Sequence, residues 1–495
     1  MELYNIYPWV LKRNRFNTNI FFIFYLTIKY MLPKNLKYGT KIESAIARSS
    51  RVNIQPQSGS TYGPNDTITI NIPTRNNLVL VPTESYLKFD TVFTSGADNN
   101  AFRFDSCGAH GMIQRIRVFH GSNLLQDIDN YGMLAKMLFD LQQSSDGVYG
   151  KQNILCGTRN DLVATTPTVA AVADISVKNI SVINVNSGER ILAAAGTTAL
   201  IANAGLSIKN TYCLNLISLV GSLCSASYIP LFAMTSAPLR VEIQLVPNVI
   251  NCCAALTGAL ANNFSINNCE YVANMIELGD SAMSTIYSSL GGEPLQFVFP
   301  DFKNFAFSQQ VGTTATQVTF PIPAKYSSLK ALLLSIRDKG TGAITFFPYS
   351  SVSLGISEYQ FRVGATTMPA KPPNTLTECF AEVCKAIGSI GDIHYTPSID
   401  KLTYNVATST ANAEVATAGI VSSISSGSFY LGLDLENYAG ASKDTLFSGY
   451  NSNTDDIYAL ITLVNAGGAV QTRFDAFANF DSVVVCENNT CYVKF

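Results

Sequence analysis

Apolar and polar residues alternate with a period of two along much of this chain. A strand with one buried face requires that pattern, because successive side chains point to opposite sides of a sheet. From residue 67 the sequence reads TITINIP, then LVLVP, then SYLKFDTVF, with turn-forming residues between the runs. Residues 113–120, 212–220, 239–246 and 271–278 extend the series and are rich in β-branched and aromatic side chains, which pack well on a pleated surface. One segment breaks the period. In NYGMLAKMLFDLQ, Met133, Leu134, Met137, Leu138 and Leu141 recur at spacings of three and four, the apolar stripe of a helix of about three turns.

Around residues 291–294 the plan starts again. Strands are expected in LQFVFPDFKNFAF, TQVTFPIP, KALLLSIRD and EYQFRVG. Pro372 and Pro373 then stop the chain, Thr375 and Glu378 have the spacing of a capping box, and Leu376, Phe380, Val383 and Ile387 give a second helix its apolar face. Strands at 429–435, 457–464, 481–486 and 491–495 close the half. Each half also carries a long excursion of small residues, at about 146–210 and about 407–428. The longer is too long for a structureless loop in a compact domain, so it should carry short strands of its own. No short-period repeat is present, and 495 residues exceed what one core usually serves.

The fold class expected is all-β: two consecutive eight-stranded antiparallel jelly-roll sandwiches, each with a short helix and a long loop excursion. The expected divisions are an N-terminal segment at 1–51, a first sandwich at 52–285 and a second at 286–495.

Charged residues make up 14 % of the chain and the net charge is −2, against roughly 25 % charged residues in average soluble proteins. With no long block of Lys and Arg, direct sequence-specific nucleic-acid binding is not expected. Eleven cysteines, an odd number without a CxxC pair, read as reduced thiols. Cys486 and Cys491 flank the turn ENNT and could face each other across a hairpin, which makes them the pair to test for a bond. The three histidines, His110, His120 and His394, form no HExxH motif and lie beside no cysteine pair, so they read as surface or packed residues. Gly108, Gly111, Gly340 and Gly342 read as turn glycines, since a phosphate cradle would need a Lys and a following helix. Asp455 and Asp456 in NSNTDD do not match a calcium loop and read as a solvated turn. No catalytic, cofactor-binding or metal-binding residue is assigned.

The runs VFHGSNLLQDIDNYGMLAKML, YIPLFAMTSAPLRVEIQL and EYVANMIELGDSAMSTI resemble the first jelly roll of major capsid proteins from polinton-like viruses and virophages. The runs ISEYQFRVGATTMPAKPPNTLTECFAEVCKAIG, SFYLGLDLENYAG, LFSGYNSNTDDI and FDSVVVCENNTCYVKF resemble the second. The resemblance spans residues 38–495, and its specificity lies in the ordered series. It implies a double jelly-roll subunit of the lineage that includes adenoviruses, tectiviruses and many giant viruses. The implied function is that of a major capsid protein of an icosahedral double-stranded DNA virus, without catalysis or cofactor. Three chains would form a homotrimer, a pseudo-hexameric capsomer that tiles the shell. The implied partners are neighbouring capsomers, penton and minor capsid proteins, and an internal membrane. The implied location is the virion, with assembly in host cytoplasm or nucleus. Two rivals stand beside this reading. A phage-type receptor-binding or tail-fibre β-protein would more often show shaft-like repeats, and a sugar-active β-sandwich enzyme would expose several Trp, whereas this chain has Trp9 alone.

The N-terminus has three readings. Lys12, Arg13 and Arg15 precede the run IFFIFYL, shaped like the start of a signal peptide, but no small-residue cleavage site follows and the run is far short of the ~20 apolar residues of a membrane helix. Residues 1–30 are rich in Asn, Ile, Phe, Tyr and Lys, which AT-rich codons specify, and Met31 opens a more ordinary sequence. Translated upstream sequence before a start at Met31 ranks first, an interior-facing arm second and a secretion signal third. The resemblance implies that residues 31–51, with Lys34, Lys37, Lys41, Arg48 and Arg51, form an inward arm that contacts neighbouring tiles, an internal membrane or minor proteins.

Overall fold

The computed structural model describes residues 47–94, 102–158, 207–255, 264–338, 347–388, 390–392, 394–407, 426–437, 448–463 and 470–495. Its contacts divide the chain into the units Met1–Ile46 and Ala47–Phe495. The first unit, and with it the expectations for residues 1–30 and for the arm up to residue 46, lies outside the described residues.

The first half contributes β1 (Ala47–Ile54), β2 (Thr61–Tyr62), β3 (Thr67–Ile72), β4 (Leu78–Leu80), β5 (Tyr86–Thr94), β6 (Phe102–Phe104), β7 (Ile113–His120), β8 (Asn123–Asp129), β9 (Ser207–Leu214), β10 (Leu239–Leu245), β11 (Cys253–Ala255) and β12 (Phe264–Leu278). Two sheets carry the body, in the orders β1-β12-β5-β9 and β3-β10-β7-β8. The second half contributes β13 (Leu295–Val311), β14 (Thr316–Ile322), β15 (Leu329–Asp338), β16 (Ile356–Val363), β17 (Thr366–Met368), β18 (Tyr430–Asp434), β19 (Ile457–Leu463), β20 (Val470–Glu487) and β21 (Thr490–Lys494). Its sheets run β13-β20-β15-β18 and β14-β19-β16-β17. Strand for strand these are the same two orders, those of an eight-stranded jelly roll, and the chain holds two such rolls in succession.

Alternation builds each roll as expected. In β10, Leu239, Val241, Ile243 and Leu245 are buried while the residues between them are half-buried, and Val241 and Ile243 lie opposite Val118 and Ile116 of β7. Each such side chain contributes roughly 1.5–3 kcal/mol by leaving water. Pro300 and Pro321 sit inside β13 and β14 because both strands are sheet edges, where a missing N–H costs no ladder bond. The second roll has its own core, whereas the core of the first continues into Phe297, Phe299, Tyr349 and Val484 of the second.

Helices lie between strands, among them α1 (Tyr131–Gln142) before β9, α2 (Asp280–Leu290) between the rolls, and α3 (Leu376–Ile387) and α4 (Lys401–Tyr404) before β18. At the start of α3 the Thr375 side chain accepts from the Glu378 N–H at 3.2 Å, and the Glu378 carboxylate accepts from the Asn374 N–H at 3.1 Å. The expected capping pair forms, with the carboxylate reaching one residue further back than in a standard box.

Several boundaries differ from expectation. The division placed between residues 285 and 286 falls inside α2, a helix whose sequence DSAMSTIYSSL buries only Met283. Its hydroxyls bond back along the helix, as Thr285 does to the Ser281 carbonyl at 2.8 Å, so no apolar stripe announces it. Residues 47–51, expected in the arm, form the first part of β1 and pair with residues 274–278 of β12. Residues 215–220, expected to continue a strand, are a buried loop. Side chains satisfy its backbone, with the Tyr131 hydroxyl accepting from the Ile217 N–H and the Gln126 amide oxygen from the Leu219 N–H. The first excursion is narrower than 146–210, since Val148, Asn153 and Cys156 are buried in helical turns and residues 207–210 belong to β9. The second is narrower than 407–428, since Ser426 and Ser428 are buried. The remainders, 159–206 and 408–425, lie outside the described residues, as do Gly340 and Gly342.

Cys486 and Cys491 are disulfide-bonded, with Cα atoms 4.3 Å apart, which corrects the expectation of reduced thiols at this pair. Asn488 and Asn489 both take positive φ, the geometry of a two-residue hairpin turn, and set the two cysteines directly opposite each other. The other nine cysteines are free. Replacing Cys486 and Cys491 together by Ala is expected to cost about 2 kcal/mol, the loop-closure entropy of so short a loop. Urea unfolding reads this as a lower midpoint, and added reductant should lower the parent midpoint but not that of the variant.

Candidate functional site: the junction between the rolls

The polar groups with the most unusual surroundings lie where the two rolls meet. β8 is the outer strand of one sheet of the first roll, and β13 is the outer strand of one sheet of the second. Between them Asp127 accepts from Arg115 at 2.7 and 2.8 Å and from Lys303 at 2.6 Å. Burial alone would raise the Asp127 pKa, but the bonds from Arg115 and Lys303 outweigh it and hold the carboxyl below its ordinary value. One position earlier, Gln126 donates to Asp301 Oδ1 at 2.7 Å and accepts from the Leu219 N–H at 2.7 Å. Asp301 faces no such pair of cations within bonding distance, and burial pushes it up to about 7.

Deeper in the junction Lys136 of α1 is fully buried. Its Nζ lies 3.2 Å from Asp105 Oδ1 and 3.0 Å from Asp140 Oδ2, and donates to Ser106 Oγ at 3.0 Å. The second roll completes the cluster. Ser428 and Tyr430 each donate to Asp140 Oδ2 at 2.8 Å, and Ser426 donates to Asp105 Oδ2 at 2.8 Å. Burial alone would lower the Lys136 pKa; the Asp105 and Asp140 carboxylates outweigh it and raise the value. A lysine held in this way is a permanent cation, not a nucleophile or a proton shuttle.

Two further contacts lock the rolls. Tyr349 of the second roll donates to the Gly111 carbonyl at 2.8 Å, and its ring lies so close to Gly132 that a Cβ there would come within 2.5 Å of it. Gly111 is therefore part of a socket for Tyr349, a role its reading as a turn glycine did not include. The disulfide hairpin is the second contact. The Asn489 carbonyl accepts from Ser236 Oγ at 2.7 Å, Asn123 donates to the Cys491 carbonyl at 3.0 Å, and the Cys491 N–H donates to His120 Nδ1 at 3.1 Å. His120 Nδ1 is thus an acceptor, so Nε2 carries the proton and donates to the Met234 carbonyl at 3.1 Å.

His110 is also packed, its Nδ1 sharing a hydrogen bond with the Tyr131 hydroxyl at 2.8 Å, and burial lowers its pKa to about 3. His394 is exposed. Asp456 pairs with Lys325 at 2.8 Å on the surface and Asp455 accepts from Tyr450. Gly108 takes positive φ, and a Cβ there would meet the Cys156 carbonyl. Among the described residues no group of three or more His, Cys, Asp or Glu could hold a metal ion, and no helix is long and apolar enough to cross a membrane. Reasoning from sequence passed over Lys136 and Asp140. The available signal was a Lys and an Asp four residues apart inside an otherwise apolar helix.

No family model and no curated protein matches the chain. Solved structures do. The major capsid protein of mavirus superposes with a TM-score of 0.55 at 12 % identity, over 99 % of this chain and 97 % of that one. The Sputnik virophage, solved by cryo-EM, gives 0.55 at 10 % identity over 94 % and 92 %. The Faustovirus major capsid protein gives 0.52 at 10 % identity over 93 % and 94 %. At such identities the likeness is one of fold, and it extends over nearly the whole of both chains. This chain has the double jelly-roll fold of those capsid proteins.

Proposed function

We propose that this chain is the major capsid protein of an icosahedral double-stranded DNA virus and that three copies form a pseudo-hexameric capsomer. The observation that carries this reading is the repetition of one strand order in two rolls locked through a buried junction. A rigid subunit with two near-equivalent sandwiches supplies six sandwiches per trimer, which turns a three-fold object into a nearly hexagonal tile. The low charge, 14 % of residues, lets such tiles meet without strong repulsion. In this reading the protein acts without turnover, lies in the virion shell and contacts neighbouring capsomers together with penton and minor capsid proteins. The first sandwich runs from β1 to β12 and the second from β13 to β21, with α2 between them.

Sedimentation at low and high ionic strength, followed by negative-stain microscopy, tests the proposal. Obligate interfaces commonly bury more than ~2,000 Å² and are apolar, so trimers are expected in both buffers, with hexagonal outlines on the grid. Exposed ion pairs would be screened by salt. A monomer in both buffers would overturn the reading.

A further inference from the structure

Of the strands in its sheet, β21 has the least support. It pairs with β20 alone, and a two-stranded hairpin is marginal in water without further contacts. Two things hold it. One is the bond between Cys486 and Cys491, which closes the ladder at the pair next to the turn pair Glu487 and Thr490. The other is the first roll, which grips the strand and its turn from three separate segments: His120 at the end of β7, Asn123 at the start of β8 and Ser236 ahead of β10. Ser236 contributes twice, since its N–H also donates to the Asn489 carbonyl at 3.3 Å.

The two supports depend on each other. On the hairpin side every group in this seat belongs to the backbone: the Asn489 carbonyl, the Cys491 carbonyl and the Cys491 N–H. They meet the first roll only while the turn keeps its shape and β21 its register, and the disulfide enforces both. In return the seat encloses the bond. Residues 487–490 of the turn are exposed, whereas Cys486 and Cys491 are 5 % and 0 % exposed and belong to the core of the first roll. A thiol from solvent reaches neither sulfur until the hairpin lifts.

We infer that the Cys486–Cys491 bond is a thiol-sensitive latch between the rolls: the closed bond seats β21 on the first roll, and its reduction by a thiol releases that strand. The reaction is an exchange. A thiolate of the reductant attacks one sulfur and displaces the other cysteine, and a second thiolate then displaces the first. The bond lost between Cys486 and Cys491 reappears in the oxidised reductant, and both cysteines take up the protons its thiols release. Whatever opens the seat exposes the bond, and reduction in turn loosens the seat. The ion clusters around Lys136 and Asp127 take no part in the exchange, so reduction opens this end of the junction alone. The device goes beyond shell building and belongs to the single chain.

Hydrogen exchange with and without dithiothreitol tests it on the parent protein. The Cys491 and Ser236 amides bond across the seat and should lose protection by about ten-fold or more on reduction, while those of Val241 and Ile243, inside β10, should keep theirs. Alkylation of the denatured chain should count nine thiols before reduction and all eleven after it. Ser236→Ala and Asn123→Ala, both at exposed positions, each remove a side-chain bond to the hairpin and should speed reduction of the folded chain roughly 3- to 10-fold. Reduction of the urea-unfolded chain should keep the parental rate in both. Cys486→Ala combined with Cys491→Ala should show the loosened seat without reductant and no response when it is added. Seat amides that stay protected in the reduced chain, or seat variants reduced at the parental rate, would overturn the latch. Neither result touches the capsomer reading, which fails instead on a monomeric parent.

Discussion

Replacing Lys136 by Met is expected to destabilise the protein by about 3–5 kcal/mol, the loss found when one partner of a buried ion pair is removed. The cause is not the absence of an attraction in itself. Asp105 and Asp140 remain buried, and Asp140 still accepts from Ser106 at 2.7 Å as well as from Ser428 and Tyr430. Those neutral donors cannot balance the charge, so the carboxylates must take up protons or draw in water. The stability lost holds the rolls together, because Ser426, Ser428 and Tyr430 belong to the second roll and Lys136 to the first. Chemical unfolding should therefore show the junction giving way early, as a lower midpoint or a separate first transition, and trimers should fail with it. Adding Asp105→Asn and Asp140→Asn to Lys136→Met removes the stranded charge and should recover most of the loss. A single variant that unfolds within about 1 kcal/mol of the parent would mean that the cluster is not charged as its geometry requires.

The strands were legible where one face is buried and the other is wet. β10, β14 and β19 show that alternation in both sequence and burial. β1 was not legible, because an edge strand with both faces largely exposed needs no apolar residues. ARSSRVNI is held by backbone pairing to β12 and by contacts such as Ser49 with Asn274. The buried loop at 215–220 misled in the opposite direction. Its apolar side chains fill the core, but Tyr131 and Gln126, distant in sequence, supply the hydrogen bonds that a neighbouring strand would have given. The junction was hidden for a further reason. Periodicity states which face of an element is buried but not what covers it, so nothing local pairs Tyr349 with Gly132 or Gln126 with Asp301. The disulfide was half visible, since the turn ENNT placed Cys486 and Cys491 face to face while the overall cysteine usage argued against a bond.

Stability should also fall as pH rises from about 4 to about 7, through Asp301. In the folded chain this carboxyl holds its proton up to about 7, whereas an unfolded aspartate releases it near ~3.9. Between those values the folded state binds more protons than the unfolded state, so the free energy of unfolding decreases with pH across that window. The favourable contribution is complete below about pH 4 and is lost above about pH 7, a swing on the order of 4 kcal/mol at 1.36 kcal/mol per unit. Asp127 works in the opposite sense. Its lowered value gives stability that is present above the unfolded pKa and lost as pH falls toward the folded one. The parent curve alone would mix the two, and Asp301→Asn separates them. Asn keeps an oxygen to accept from Gln126 and from the Phe302 N–H, which lies 2.8 Å from Asp301 Oδ1, and it cannot ionise. Urea unfolding of parent and variant at several pH values between 4 and 8 should give curves that nearly meet at the acid end, with the variant ahead by a few kcal/mol at pH 8. A difference independent of pH would show that Asp301 does not titrate in this window. The gap is expected to open between about pH 4 and 7 in the transition that separates the rolls, because the carboxyl lies on β13 where it meets β8 and nearby Lys303 is already bound to Asp127.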